Sequence, residues 1–135
     1  MPTHAETGRA VWAAGPAKRV IAIIACVKTG YHESRFNETP LSRTLLPSLN
    51  ATITEDERRR WAVRLYLCAD ADDPIYTREA GVVMSAPPVW LDKRLFFYSP
   101  VPNRIPSREA AAQALADGAD YLHRTNDDIL YNSEG

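Results

Sequence analysis

Residues 118–135, GADYLHRTNDDILYNSEG, decide the fold. The opening glycine follows REAAAQALAD, a run in which Ala and Leu favour helix, and glycine just past such a run is a common helix stop. A short apolar pair, Tyr121-Leu122, then leads into Thr125-Asn126-Asp127-Asp128. The stretch reads as the end of a helix, a β-strand, and adjacent carboxylates delivered at the strand's C-terminal end. Ligands of open α/β sheets bind just beyond that end of the strands. Two neighbouring acids repel one another, and a hard cation held by oxygen ligands relieves the repulsion. Asn-Asp-Asp is also good turn chemistry, so a solvated acidic turn is the plain alternative.

Upstream, the same arrangement recurs. Residues 20–27, VIAIIACV, form a near-continuous apolar run rich in β-branched side chains, the pattern of a central strand covered on both faces. The polar loop after it carries Thr29, Tyr31, His32, Arg35 and Asn37. Thr39-Pro40 reads as a helix start, with Leu41, Leu45, Leu46 and Leu49 at helical spacing and Pro47 expected to kink or shorten the helix. Thr54 and Glu57 form a capping box for a short charged turn over residues 55–60. Residues 63–68, VRLYLC, read as a second strand, which runs into Asp70, Asp72, Asp73 and Pro74. Neighbouring parallel strands would bring the two acidic clusters together. Beyond it, residues 75–81 suit a helical turn, residues 95–98 a short strand, and Ser107 the cap of the helix that ends at Gly118.

Strands alternating with helices predict an α/β fold: a mostly parallel sheet with helices on both faces. Residues 1–17 read as a flexible tail and residues 18–135 as one domain, a size that suits the 135-residue chain. A formal net charge of −1 gives no basic field for nucleic acid. No apolar run approaches the roughly 20 residues of a membrane span, and no secretory signal is visible, so a cytoplasmic location is expected. Cys26 and Cys68 sit in apolar runs and read as buried, reduced thiols. No Cys/His spacing suits zinc, and no glycine-rich phosphate loop is present.

On VIAIIACV, LYLCADADDPIY and GADYLHRTNDD, the chain resembles the nucleotide-sugar-binding half of a GT-A-type glycosyltransferase, with Asn-Asp-Asp in place of the family's Asp-X-Asp motif. The resemblance spans residues 18–135 and implies a Rossmann-like donor-binding half, incomplete at its C-terminus. It implies Mn²⁺ or Mg²⁺ bridging the phosphates of a UDP- or GDP-sugar, with Asp128 as direct metal ligand and Asp127 as a second ligand or a holder of metal-bound water. Asn126 would meet the ribose or a metal-bound water. One of Asp70, Asp72 and Asp73 would lie near base and ribose, and Thr29 and Tyr31 would line the nucleotide pocket. Glycosyl transfer would need a further C-terminal segment for the acceptor and the catalytic base, so no catalytic residue is assigned. An incomplete sheet would also leave an edge inviting self-association. The alternative is a non-catalytic α/β remnant or protein-interaction module whose acids are solvated turns. A phosphotransfer receiver is a weaker third reading, since the later lysine it needs is missing from the acidic-strand context.

Overall fold

The apolar run at residues 20–27 forms the centre of the sheet. In a computed structural model, which describes residues 5–7, 18–99 and 106–128, all of it but Val27 lies in β2 (Arg19–Cys26). On one side β2 pairs in parallel with β3 (Trp61–Asp70), and β3 in turn with β4 (Asp92–Tyr98). On the other side β2 pairs in parallel with β5 (Tyr121–Asn126). A short β1 (Ala5–Thr7) lies antiparallel along the outer edge of β4, giving the order β1-β4-β3-β2-β5. The mostly parallel α/β fold is thus the observed one. Ala5–Thr7 fall within the stretch read as a tail but take part in the sheet; the rest of residues 1–17 lie outside the described residues.

The pleat divides the core into two layers. Ile23 and Ala25 of β2, Leu65 and Leu67 of β3, and Leu95 of β4 face one side. There they pack against Leu41, Leu45, Leu46 and Leu49, and against α3 (Pro74–Arg78) and α4 (Ala80–Ser85) through Ile75, Tyr76 and Val83. Ala22, Ile24, Tyr66, Cys68, Phe96 and Tyr98 face the other side, under Ala110 and Ala114 of α5 (Pro106–Ala116). Small alanines let α5 approach the large aromatics of the sheet closely. Tyr66 and Phe96 stack almost parallel there, 5.8 Å apart. Helices therefore cover both faces, as the alternation of elements predicts.

The leucine-rich segment is a π-helical turn (Leu41–Leu45) running into α1 (Leu46–Thr52), and the change of winding comes just before Pro47. Proline has no N–H for the carbonyl four residues back and its ring crowds that carbonyl, so the helix rewinds there. The capping box is present in α2 (Glu55–Arg60): Glu57 N donates to Thr54 Oγ1 at 3.1 Å and Thr54 N to Glu57 Oε1 at 2.8 Å. Gly118 has φ +93°, the left-handed turn that ends α5. One detail differs from expectation. Helix α5 starts at Pro106, so Ser107 lies in its first turn rather than at its cap.

The far end of α5 is tied to the sheet by Asp117. Its Oδ2 accepts from Tyr66 Oη at 2.6 Å and from Arg94 Nη1 at 2.9 Å, its Oδ1 from Gln113 Nε2 at 2.9 Å, and its backbone carbonyl from Arg64 Nη1 at 2.9 Å. These bonds let Arg64 and Arg94 be buried in the sheet layer. No helix among the described residues is long and apolar enough to cross a membrane.

Candidate functional site

The order of the parallel strands, β4-β3-β2-β5, reverses direction between β2 and β5. The crevice outside the carboxyl ends at such a reversal is the usual ligand site of an open α/β sheet. Cys26, at the end of β2, is in register with Asn126, at the end of β5. The loop beginning at Val27 and the Asp127-Asp128 turn therefore leave the sheet side by side. Sequence spacing places an acid pair after a strand; the topology places it at the switch point.

Asp127 is the inward acid of the pair and Asp128 the exposed one. Burial holds the Asp127 carboxyl above its ordinary value of 3.8; the neighbouring charges of Asp128 and Glu33 push the same way, while a hydrogen bond from the Lys28 backbone amide opposes them. Glu33 is brought in by its own loop, since its Oε1 accepts from Gly30 N at 2.7 Å. Tyr76, at the start of α3, is fully buried, and its Oη makes no good hydrogen bond among the described residues although the Thr39 hydroxyl lies alongside. Burial raises its phenol well above the ordinary value, and the charges of Asp127, Asp73 and Glu33 reach it and add to the effect. Glu33 and the core residue Tyr76 thus lie near enough to Asp127 to share its electrostatic field, although no motif marks them. Glu33 depends on a loop closing on itself, and Tyr76 on the side from which α3 packs.

Asp73 separates itself from the other acids after β3. It is buried, at 6% exposure, and caps α3: its Oδ1 accepts from the amides of Ile75 and Tyr76 at 3.1 and 3.2 Å. Its Oδ2 accepts from Thr29 N at 2.8 Å, and its Oδ1 also accepts from the Thr29 hydroxyl. Both residues named as nucleotide contacts are thereby engaged with each other, pinning the β2 loop to the start of α3. Asp70 and Asp72 are exposed beside them. Tyr31 is fully exposed, its ring edge-on to His32 with centroids 5.6 Å apart. Asn126 is exposed at the last position of β5.

Among the described residues no three His, Cys, Asp or Glu side chains converge closely enough to hold a metal ion. Magnesium-like ions are often held by one or two carboxylates plus substrate phosphates and waters. Asp127 and Asp128 are hard oxygen donors, the residues here that could serve that mode.

Two clefts of about 300 Å³ lie elsewhere. One is lined by Ile21, Ile23, Ile53, Glu57, Trp61 and Val63, toward the amino ends of β2 and β3. The other lies within the helical layer, between Pro47 and Pro87. Neither contains the acids of the switch point. No protein-family model, curated protein or solved structure matches this chain.

Proposed function

We propose that the switch-point crevice binds a nucleotide-diphospho-sugar together with Mn²⁺ or Mg²⁺, as the donor-binding half of a glycosyltransferase. The observation that carries this reading is the position of Asp127: half-buried, beside Glu33 and Asp128, in the crevice where the strand order reverses. A divalent cation there would offset the crowded negative charge and bridge to a diphosphate. In glycosyl transfer it would act as a Lewis acid on the leaving diphosphate. Asp128 would be the direct ligand, with the half-buried Asp127 beside it as a second ligand or holder of metal-bound water. Asn126 offers an amide to the ribose. Tyr31 presents an unpacked ring on which a base can stack. Asp70 and Asp72 are the acids free to reach the ribose, whereas Asp73 and Thr29 shape the loop. The compartment that fits is the cytoplasm, where nucleotide sugars are at hand and the two thiols stay reduced.

The test is calorimetric titration of UDP and GDP with and without Mn²⁺. Binding that needs the metal and is lost in Asp127→Ala and Asp128→Ala supports the reading; unchanged binding in both variants removes it. One observation favours a second reading, a non-catalytic interaction module: Asp73, the most buried of the acids, is fully occupied as a helix cap. That reading predicts a folded chain that binds neither nucleotide.

A further inference from the structure

Cys26 and Cys68 are direct register partners on the adjacent parallel strands β2 and β3. Residues so paired project to the same face of the sheet. Neighbouring strands lie ~4.8 Å apart, inside the roughly 4.4–6.8 Å Cα separation that a disulfide spans. The two thiols differ in environment. Cys68 is buried, with its Sγ 3.9 Å from the Pro106 carbonyl oxygen, whereas Cys26 is exposed, contrary to the buried thiol its sequence context predicts. The strand end explains the difference: Cys26 is the last residue of β2, where the sheet layer gives out.

The groups around the pair favour a thiolate at Cys26. Ser107, in the first turn of the 11-residue α5, lies close enough for its amide and hydroxyl to favour the Cys26 thiolate, and Arg124 of β5 adds a positive charge. The neighbouring Cys68 thiol is the largest influence in bringing Cys26 down to about 7, against burial, which raises it. Cys68, whose Sγ donates to the Pro106 carbonyl, is pushed up, first by the neighbouring Cys26 and then by burial, with Glu109 contributing a nearby negative charge. Thiolates with lowered pKa at helix N-termini and beside arginine are the reactive ones.

We propose that Cys26 and Cys68 form a peroxide-responsive dithiol, with Cys26 the attacking thiolate and Cys68 the thiol that resolves it. The oxidant is a hydroperoxide. The Cys26 sulfur attacks the terminal peroxide oxygen, the O–O bond breaks, and the departing alkoxide or hydroxide takes a proton to leave as alcohol or water. Cys26 is then a sulfenic acid. The Cys68 sulfur attacks the Cys26 sulfur, the S–O bond breaks, and the released hydroxide takes the Cys68 proton and leaves as water. The two thiols are oxidised by two electrons, and the peroxide is reduced by two. A thiol reductant restores both.

The test uses the full reduced chain, treated with stoichiometric hydrogen peroxide and read by intact mass and peptide mapping. Expected is loss of both free thiols, a mass lower by two hydrogens, an intrachain Cys26–Cys68 link and recovery with dithiothreitol. Cys26 should react roughly 10-fold faster than glutathione at neutral pH, in proportion to its larger thiolate fraction. Cys68→Ser, shown folded by circular dichroism, should instead accumulate a dimedone-reactive sulfenic acid at Cys26. Reaction no faster than glutathione, or oxidation of Cys26 with Cys68 still free in the wild-type chain, would overturn the proposal. The wild-type map decides the matter even where a variant fails to fold.

Discussion

The Asp73 carboxylate holds two separate segments at once: it caps the first turn of α3 and accepts the Thr29 amide at 2.8 Å from the loop leaving β2. A buried acid that accepts from both segments ties them to one side chain. Asp73→Ala removes the cap, about 1 kcal/mol by itself, and leaves buried amides without an acceptor at a further cost of about 1–3 kcal/mol. The expected loss of stability by urea denaturation is therefore a few kcal/mol, with Asp73→Asn intermediate. Loss within 0.5 kcal/mol of zero, the range of ordinary surface changes, would contradict the capping role.

Asp117 should be the most sensitive polar residue on the α5 face. It is the carboxylate partner of Arg94 at 2.9 Å and the acceptor for Tyr66 and Gln113. Breaking a buried ion pair from one side typically costs about 3–5 kcal/mol. Asp117→Ala should approach that figure in chemical denaturation, and Asp117→Asn should fall between the variant and wild type.

Asp127 gives a pH signature. Its carboxyl lies above 3.8 in the folded chain, chiefly through burial, so the folded state keeps this proton to higher pH than the unfolded state does. Its contribution to stability therefore falls as pH rises through that interval, and the penalty is complete above the folded value. Asp127→Asn should be more stable than wild type at neutral pH without metal, and the difference should vanish below pH 3.8. Saturating UDP and Mn²⁺ should raise the wild-type melting temperature and leave the variant's unchanged. Melting curves across pH, with and without both ligands, check each half of the statement.

Gly118 tests the backbone alone. Its φ is +93°, and a Cβ built there meets nothing within 4 Å. Gly118→Ala should cost roughly 1–2 kcal/mol through the left-handed conformation, since no clash contributes.

Strand β5 is the last in the sheet order, and Tyr121 and Leu122 on it are exposed. An edge of this kind templates pairing with another strand. Sedimentation velocity should show association of the wild-type chain that increases with concentration, reduced in Leu122→Lys. A monomer at all concentrations would remove the expectation of pairing through this edge.

Local chemistry made much of this legible beforehand. The β-branched run of β2, the Thr54–Glu57 capping box and the glycine after α5 act through neighbours in sequence, and each takes its expected form. Pairing of distant strands is different. The neighbours of β5, and with them the place of Asp127 at a switch point, depend on contacts about a hundred residues apart along the chain. Asp73 differs from Asp70 and Asp72 by preceding Pro74, a local cap signal, but its bonds to Thr29 depend on the fold. Cys26 reads as buried because its neighbours are apolar, yet it ends its strand and is exposed.

The most direct test of the donor-binding account is titration of the folded chain with UDP in the presence and absence of Mn²⁺. The account predicts binding that requires the metal, disappears in Asp127→Ala, and survives Asp70→Ala at lower affinity. Binding indifferent to both metal and Asp127, or none at all by a chain with native circular dichroism, would contradict it.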